Sequence, residues 1–517
     1  MRLKRKPTPS KSPSDRLRVF LLVILAAALA GCNLPSSNSN NPFTSSQRQT
    51  EIAEILNPAG LALTPAPSDN PAEPALPTLS VPAGYRAYTT QQGDTLPALA
   101  LRFGVMAGEI RTDQPSLPQS GLLMPGLTLW FPDVLEDPLP AARLLPDSAV
   151  IYGPTVGDFD AIAFAQAQGG YLTIYTEDVR EVTLTGPEIL QTVAVETSLN
   201  PRLLLAFLEF RSGWVSGTPE GASQDPYPLG FGAGADTGLY KELLITAKLL
   251  SQGFYGWRDA SLLDLSYAGG ESGRLDPALN AGTAALLRLF GTLYTPAGVE
   301  DALTGPTGFL VLYESWFGDP WERAAAGEPY LLPTTQQPDF VLPFAPGEGW
   351  TLTGGPHNAW LTGSPQGAID FAPITGEAHC AVSTRWATAA AAGLIVRSDR
   401  GVVAIDLDSD GDEGTGWVLI YLHMAEQDRA ALGAWLDQDD RVGHPSCEGG
   451  TATGTHLHLT RKFNGEWLPV DGPLPMVIGG WQVVAGEKRY EGYLVRGEEV
   501  IDARPNGSGN TTVIRED

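Results

Sequence analysis

The chain has 517 residues, which at about 100 to 200 residues per domain is enough for roughly three domains. Its 33 basic and 59 acidic side chains give a net charge of −26, so a phosphate backbone would be repelled and we expect no nucleic-acid partner. Three cysteines in so long a chain exclude a disulfide-dense scaffold and cysteine-rich zinc modules.

Residues 1–32 predict an export signal. A basic segment precedes the apolar run 19–29, which is too short to span a bilayer as a permanent helix and ends in small residues. The sequence Leu-Ala-Gly directly before Cys32 resembles the lipobox of bacterial lipoproteins, in which the cysteine becomes the lipidated N-terminus. The resemblance implies an exported protein in the cell envelope, anchored through Cys32 to the extracytoplasmic face of a membrane. An ordinary cleaved signal with a chance cysteine is the alternative.

Residues 33–83 are rich in Ser, Asn and Pro. Such a composition cannot bury enough apolar area to offset the entropy of ordering, so we predict a disordered tether.

Residues 84–132 predict a small βααβ domain, in which a Gly-Asp-Thr turn caps the first helix. The segment resembles a lysin-motif domain, with Gly-Asp-Thr-Leu at 93–96, Arg-Phe-Gly-Val at 102–105 and a closing Leu-Trp-Phe-Pro at 129–132. The family binds N-acetylglucosamine polymers, so the resemblance implies peptidoglycan as the ligand. The implied glycan-binding residues are Gly93, Asp94 and Thr95, beside the segment 122–125. A domain of this fold without sugar affinity is the alternative.

Residues 133–185 are expected to be a linker with irregular β-structure, and residues 186–330 an all-α domain. Helical periodicity is clear within 186–215, 238–252 and 280–294. The pattern resembles soluble lytic transglycosylases, in which a helix ends in Glu-Ser-Gly-aromatic. Here the catalytic position holds Arg211, which cannot act as a general acid. We therefore interpret this segment as a lysozyme-like domain that packs against the rest of the chain or binds glycan.

The region 331–505 contains all six histidines of the chain. His357 and Asp370 form a first cluster, His423 ends an apolar run, and His456 and His458 stand two apart. Residues two apart on a strand share a face, so both imidazoles of the last pair are expected to point the same way. Two His and one Asp around an open fourth position is the ligand set of a catalytic zinc site.

Together these clusters resemble the zinc endopeptidases of the lysostaphin and β-lytic (staphylolysin) class, which have an antiparallel β-sheet domain and cleave peptide crosslinks of peptidoglycan. The resemblance implies that His357, Asp370 and His458 bind one Zn²⁺, which activates water, and that His423 and His456 are the catalytic pair. The alternative is a catalytically inactive peptidoglycan-binding lipoprotein that acts as a scaffold or activator of another wall hydrolase.

The spacing of the first histidine distinguishes the branches of that class. In the lysostaphin branch it stands four residues before the Asp, where this chain has Gln366. In the β-lytic branch a Gly-Gly-x-His precedes the Asp by thirteen residues, which matches His357 and Asp370.

Two further features lie in this region, and the whole chain is predicted to be a multidomain α+β protein. Cys380 and Cys447 are expected to form a disulfide worth about 4 kcal/mol, with two free thiols as the alternative. A run of alternating carboxylates resembles the start of a calcium loop, although its twelfth position is Trp417, so an acidic hairpin tip is the alternative. The candidate Ca²⁺ ligands are Asp406, Asp408, Asp410 and Asp412. Residues 506–517 are expected to be a disordered tail.

Overall fold

The computed structural model describes residues 81–516 apart from 233–236, 506 and 508. The predicted export signal, Cys32 and all of the tether up to residue 80 lie outside the described residues. Within the described part of the chain, no helix is long and apolar enough to cross a membrane.

The amino-terminal module has one α-helix and three strands. Its elements are β1 Tyr85–Thr89, α1 Leu96–Phe103, β2 Arg111–Thr112 and β3 Thr128–Pro132, with sheet order β1-β3-β2. Thr95 caps α1 by accepting a hydrogen bond from the backbone N–H of Ala98, as the sequence predicts.

The predicted second helix of this module is wrong. Only a single 3₁₀ turn, Ala107–Glu109, follows α1, and the short strand β2 takes the next place in the chain. The segment beyond β2 contains Pro115 and Pro118, which lack the N–H that an α-helix needs and constrain the preceding residues to extended backbone.

The middle of the chain packs helices around one apolar core. The helices are α2 Ala161–Gln168, α3 Gly186–Thr197, α4 Pro201–Ser212, α5 Leu239–Arg258, α6 Ala281–Leu293, α7 Pro296–Thr304, α8 Phe309–Phe317 and α9 Pro320–Gly327. The helices expected within 186–215, 238–252 and 280–294 are confirmed.

The prediction of an all-α domain behind a linker is corrected in two ways. A β-hairpin, β6 Asp264–Ser266 with β7 Ser272–Arg274, accompanies the helices of 186–330. The hairpin of β4 Thr176–Val179 with β5 Val182–Thr185 lies in 133–185, where irregular β-structure is expected. The segment 133–185 also contains α2 and contributes the buried Leu145, Val150 and Ile151 to the same core. It is therefore part of the helical unit, because its apolar side chains are needed to complete that core.

The carboxy-terminal region is built on antiparallel sheets, as predicted. The strands of its main sheet are β8 Gly349–Asn358, β9 Gln366–Pro373, β11 Gly393–Asp399, β12 Val402–Asp406, β13 Trp417–Leu422, β14 Trp435–Leu436, β16 Leu457–Phe463, β17 Glu466–Trp467 and β22 Thr512–Ile514. Their order is β14-β11-β12-β13-β16-β9-β8-β22, and β17 pairs with β16. A smaller pair joins β10 Ala387–Thr388 to β15 Arg441–Gly443. A four-stranded sheet contains β18 Val477–Ile478, β19 Trp481–Ala485, β20 Gly492–Arg496 and β21 Glu499–Asp502.

The predicted disordered tail is wrong. Residues Thr512–Ile514 form β22, which pairs with β8 at the edge of the main sheet. Val513 is fully buried, and the guanidinium of Arg515 donates hydrogen bonds to the carbonyl oxygens of Leu342 and Phe344. Burial of one apolar side chain and these backbone contacts order a segment whose polar composition suggested a free end.

Candidate metal centre and cleft

Three neighbouring strands of the main sheet position the first set of predicted site residues. His458, on β16, lies directly opposite Asp370 on β9, and β8 carries His357 on the other side of β9. The register of β8 shifts between Gly354 and His357, which brings the imidazole of His357 to the carboxylate of Asp370. A Cβ at Gly354 would collide with that carboxylate, so a glycine is required there.

The three side chains converge through one atom each. His357 Nε2 lies 2.9 Å from His458 Nδ1 and 3.3 Å from Asp370 Oδ1. The distance from His458 Nδ1 to Asp370 Oδ1 is 3.4 Å. All three residues are buried. Two imidazole nitrogens and one carboxylate oxygen therefore face a single point below the protein surface.

In His357 and His458, one ring nitrogen faces Asp370 and is called the inner nitrogen, and the other faces away and is called the outer nitrogen. The hydrogen bond of the outer nitrogen determines whether the inner one carries a proton or a lone pair. His357 Nδ1 lies 2.8 Å from the carbonyl oxygen of Gly355, and His458 Nε2 lies 3.0 Å from that of Ala359. A carbonyl only accepts, so each neutral ring has its proton on the outer nitrogen and turns a lone pair inwards. No hydrogen-bond donor among the described residues reaches Asp370 Oδ1, which is buried. Three converging lone pairs of this kind need a cation between them.

Zn²⁺ fits this donor set. Tetrahedral zinc with bonds of about 2.0 to 2.2 Å places its ligand atoms about 3.3 Å apart, close to the observed separations. Burial raises the pKa of the Asp370 carboxyl group, and positive charge at the point where His357 and His458 face it lowers that pKa, whether the charge is on protonated rings or on a bound cation. The carboxylate is therefore ionised and available as a ligand.

The second predicted pair lies beside this centre. The rings of His423 and His456 are 4.5 Å apart, and His456 Nε2 is 3.8 Å from Asp370 Oδ1. Each Nδ1 lies 2.7 Å from a backbone carbonyl oxygen, that of Glu448 for His423 and that of Gly454 for His456. In the neutral rings both Nε2 atoms therefore carry a lone pair. Burial, together with the neighbouring His456, lowers the pKa of His423 to about 3, so this imidazole is neutral.

These five residues line a cleft of about 1010 Å³ that also has walls the sequence did not indicate. Trp360 and the loop 449–455 contribute from the sheet region, and Arg180 and Leu244 contribute from the helical unit. Tyr490 stacks on His357 with ring centroids 4.3 Å apart. None of these side chains belongs to a motif with a fixed spacing, so only the tertiary contacts reveal them.

The predicted disulfide is confirmed. Cys380 and Cys447 are bonded and their Cα atoms are 5.2 Å apart. The bond connects the segment after β9 to the chain just before the loop 449–455; residues 377–379 of that segment and the loop itself line the cleft. It therefore ties two parts of the cleft wall to each other.

The acidic run forms the tip between β12 and β13. Carboxylate oxygens of Asp406, Asp408 and Asp410 lie within 4.8 Å of one another, whereas Asp412 is outside this group and accepts a hydrogen bond from the backbone of Gly414. Calcium binding by this loop stays a prediction.

The loop predicted to border a glycan groove is covered by other parts of the chain. The buried Asp94 pairs with Arg102 at 2.9 Å and accepts a hydrogen bond of 2.6 Å from the hydroxyl of Tyr88. Arg258 of α5 lies against Gly93, where a Cβ would collide with its guanidinium, and donates to the carbonyl oxygen of the preceding Gln92. Gly93 and Asp94 are therefore buried, and Thr95 acts as a helix cap; glycan binding at these three residues stays a prediction.

Arg258 joins three parts of the chain at this point. Besides Gln92, it pairs with Asp147 at 3.0 Å and with Glu466 at 3.2 Å. The amino-terminal module is thus fixed to the helical unit and to the hairpin that follows β16. The sequence motif alone contained no sign of these partners, which lie far away along the chain.

The transglycosylase-like positions have structural partners. The carboxylate of Glu209 accepts hydrogen bonds from the backbone N–H groups of Val215 and Ser216. Arg211 donates to the carbonyl oxygen of Leu229 and to the hydroxyl of Tyr294. These contacts stabilise the end of α4 and leave Glu209 engaged with the backbone.

Comparison with known proteins finds similarity in both the helical and the sheet regions. Residues 143–331 match the family described as LasA, N-terminal domain. Over 378 residues the chain is 27% identical to Protease LasA of Pseudomonas aeruginosa strain PAO1, covering 68% of this chain and 81% of the relative. Protease LasA of strain UCBPP-PA14 is 26% identical over 377 residues, with the same coverage. The chain is thus similar to Protease LasA over about two thirds of its length.

Solved structures similar to this chain include two peptidases. The M23 metalloprotease pseudoalterin is 22% identical with a TM-score of 0.27, and the match covers 32% of this chain and 96% of that chain. The catalytic domain of lysostaphin from Staphylococcus simulans is 16% identical with a TM-score of 0.17, covering 24% of this chain and 88% of that chain.

Proposed function

We propose that this protein is a zinc-dependent endopeptidase that cleaves peptide crosslinks of peptidoglycan. The observation that carries the proposal is the convergence of His357 Nε2, Asp370 Oδ1 and His458 Nδ1 in a cleft, with no donor among the described residues to satisfy the carboxylate oxygen. Similarity to Protease LasA over 68% of the chain supports a peptidase.

Each of the three residues has a defined part in holding the ion. His357 and His458 offer neutral nitrogens whose ring orientation is set by the carbonyl oxygens of Gly355 and Ala359, and Asp370 supplies the negative charge. Bound Zn²⁺ supplies a Lewis acid that polarises the scissile carbonyl and lowers the pKa of water. The strands keep the donors in place before any ion binds, because all three residues lie on adjacent, paired segments.

His456 moves the proton that peptide hydrolysis requires, and His423 lies beside it as a neutral hydrogen-bonding partner. His456 Nε2 accepts a proton from the attacking water, and the nearby carboxylate of Asp370, 3.8 Å away, stabilises the imidazolium that forms. His456 then returns the proton to the leaving amine. His423 is neutral, and its backbone is anchored by the hydroxyl of Ser446, so its Nε2 is held as a fixed hydrogen-bond acceptor beside His456.

The cellular setting belongs to the same proposal. A lipid on Cys32 would hold the exported protein on the extracytoplasmic face of a membrane, within reach of the wall. While the loop at Gly93 and Asp94 is covered, glycan binding by the lysin-motif-like module requires another surface. We therefore place the main contact with peptidoglycan in the cleft, where the peptide crosslinks bind.

The test is a digest of crosslinked peptidoglycan by the full-length protein and by its His456→Ala variant, with zinc content measured for both. We expect one zinc per chain in each, loss of crosslinked muropeptide dimers with the wild type, unchanged glycan length, and no loss of dimers with the variant. Wild-type protein without zinc, or equal digestion by the variant, would contradict the proposal.

A further inference from the structure

A short segment of the chain lies over the amino-terminal module. Residues 328–331, which we call the strap, follow α9 and connect the helical unit to the peptidase-like region. The backbone N–H of Tyr330 in the strap donates to the side-chain oxygen of Gln92 at 3.0 Å. Gln92 belongs to the loop 90–95, which joins β1 to α1 and contains the three predicted glycan-binding residues. The strap therefore covers part of that loop.

The strap is also buried together with the second segment that borders the predicted groove. Tyr330 and Leu331 belong to the same apolar cluster as Leu122 of the module, and the three residues are 8%, 3% and 4% exposed. The hydroxyl of Tyr330 donates to the carboxylate of Glu466, in the hairpin that follows β16, at 3.2 Å. Movement of the strap would therefore expose more of both the loop 90–95 and Leu122.

The strap begins at a carboxylate that has no cation of its own. The half-buried Glu328 accepts a hydrogen bond of 2.7 Å from the backbone N–H of Ser148, and no cation of the described residues forms an ion pair with it. The guanidinium of Arg258 already pairs with Asp147 at 3.0 Å and with Glu466 at 3.2 Å, and both of these carboxylates are buried. Three carboxylates thus surround one guanidinium at this junction.

Other charged groups near the strap do not offset this excess of carboxylates. Asp94 and Arg102 of the module pair with each other at 2.9 Å. Burial raises the pKa of Tyr330 well above its usual value, so its hydroxyl stays neutral. No histidine is among the groups that act most on Glu328. Ionisation of Glu328 therefore adds a third negative charge beside one positive charge, where partial burial makes a charge costly.

We propose that the strap is a pH-sensitive cover of the loop 90–95, seated while Glu328 is protonated and released when Glu328 ionises. Release places the carboxylate in water and breaks the hydrogen bond between Tyr330 and Gln92. Because the loop contains the predicted glycan-binding residues, the strap determines when solvent reaches them. The strap acts apart from the proposed zinc centre, since none of its residues lines the cleft.

The direction of the pH dependence follows from the two positions of Glu328. Burial, together with the neighbouring Asp147, raises the pKa of Glu328 to about 7 in the seated strap. In the released strap the carboxyl group has an ordinary glutamate pKa of about 4.3. Release therefore gives up a proton between these two values. The released fraction rises with pH from about 4.3 to about 7 and is constant above that, because Glu328 is then ionised in both positions.

Hydrogen exchange of the full-length protein measures the release of the strap. Exchange is followed by mass spectrometry at about pH 5 and about pH 7.5, with rates corrected for the intrinsic pH dependence of amide exchange. In peptides that cover 90–95 and 328–331, protection of the wild type should fall about tenfold or more at the higher pH. Peptides from β13, in the main sheet, should keep their protection at both pH values.

Glu328→Gln separates the charge of this side chain from its packing. The amide cannot ionise and still accepts the hydrogen bond from Ser148, so the variant should keep at about pH 7.5 the protection that the wild type has at about pH 5. Glu322→Gln is the matched control, because Glu322 is an exposed glutamate of α9, and it should leave the pH dependence of the wild type unchanged. Melting temperatures establish that both variants are folded.

Three results would overturn the role of the strap. The first is equal protection of the wild type at both pH values in 90–95 and 328–331, a measurement that needs no substitution. The second is the same loss of protection in Glu328→Gln as in the wild type. The third is an equal loss in β13, which would identify unfolding of the whole protein. None of these measurements depends on peptide cleavage, so a failure of the proposed function leaves them unaffected.

Discussion

The molecule has two regions in each of which three potential metal ligands lie within 4.8 Å of one another. The two regions differ in burial and in the hydrogen bonds that these ligands make. The proposed zinc centre consists of His357, Asp370 and His458, which are buried on paired strands. The acidic loop consists of Asp406, Asp408 and Asp410, of which only Asp406 is buried. The ligand atoms of both groups lie within the same distance limit, but all three residues of the first group are buried and two of the three in the second are exposed.

Hydrogen bonding separates the two regions further. In the acidic loop the backbone already satisfies the carboxylates: Asp406 accepts from the N–H of Asp408 at 3.1 Å and from that of Gly411 at 3.0 Å, and Asp410 accepts from Asp412 at 2.9 Å. In the zinc centre the backbone contacts engage the outer nitrogens and leave the inner lone pairs facing one another. Buried, unsatisfied lone pairs identify a metal centre better than a count of nearby acidic groups does.

The largest expected effect is at the zinc centre. His458→Ala removes one of three ligands, so we expect zinc content to fall to background and cleavage of crosslinked wall to fall at least about 10,000-fold. Elemental analysis measures the zinc content, and a muropeptide digest measures the cleavage. The exposed His379 is the control for metal content, and His379→Ala should keep its zinc. Full zinc content in His458→Ala would remove the distinction between the two regions.

A smaller effect is expected beside the centre. His423→Ala leaves the ligands in place, so zinc content should stay near one per chain while kcat falls about 100-fold or more, the usual contribution of a positioned imidazole. Rates at saturating substrate and elemental analysis on the same sample measure both quantities. Loss of zinc together with activity would show that His423 supports the metal centre itself.

The carboxylate of Glu413, which follows the three clustered aspartates, should contribute strongly to the free energy of unfolding. Glu413 is buried and pairs with Arg397 at 2.8 Å and with Lys462 at 2.6 Å. Glu413→Gln leaves two buried cations without a counter-charge, so we expect a loss of about 3 to 5 kcal/mol in unfolding free energy, measured by urea denaturation. Asp410→Asn, on the exposed part of the loop, should change it by less than about 0.5 kcal/mol.

The difference in unfolding free energy between the wild type and Glu413→Gln should depend on pH. Burial raises the pKa of Glu413, but the positive charges of Arg397 and Lys462 lower it by more. The ionised form is therefore favoured in the folded state. The stabilisation is present above the ordinary glutamate pKa and is lost as pH falls through the lowered one. Wild type and Glu413→Gln should therefore differ most near neutral pH and converge in acid. A difference that grows in acid would contradict the role of the ion pair.

The smallest effect is expected within the clustered aspartates. Partial burial and the neighbouring Asp406 raise the pKa of Asp408 to about 6, so above that pH its charge destabilises the folded loop. Asp408→Asn should stabilise the protein at pH 7.5 by about 1 kcal/mol or less without calcium, because solvent screens the repulsion. If millimolar Ca²⁺ raises the melting temperature of the wild type and not of this variant, the loop binds calcium.

The sequence was sufficient where local signals agree. The Gly-Asp-Thr-Leu turn predicts a capped helix, which begins at Leu96 in the structure. The order of His357, Asp370 and the His456-x-His458 pair also selects residues that the structure brings together. These successes rest on residues close in sequence or on a pattern with fixed spacing.

Other expectations failed where a local signal was overridden or overlooked. Two prolines prevent the second helix of the amino-terminal module, and a single buried valine with Arg515 orders the expected free tail. The segment expected to be a linker supplies Leu145 and Ile151 to the helical core. The prolines act locally, whereas the tail and the supposed linker are ordered by burial against residues that lie far away along the chain.

The sequence by itself determined which residue types could bind zinc, which segments could form helices and strands, and how acidic the protein is. Only the tertiary structure decided which surfaces remain open. Arg258 covers the loop at Gly93, and Arg180 from the helical unit reaches the cleft of the peptidase-like sheet. The physical reason is that exposure depends on contacts between segments more than a hundred residues apart, which neither periodicity nor motif spacing records.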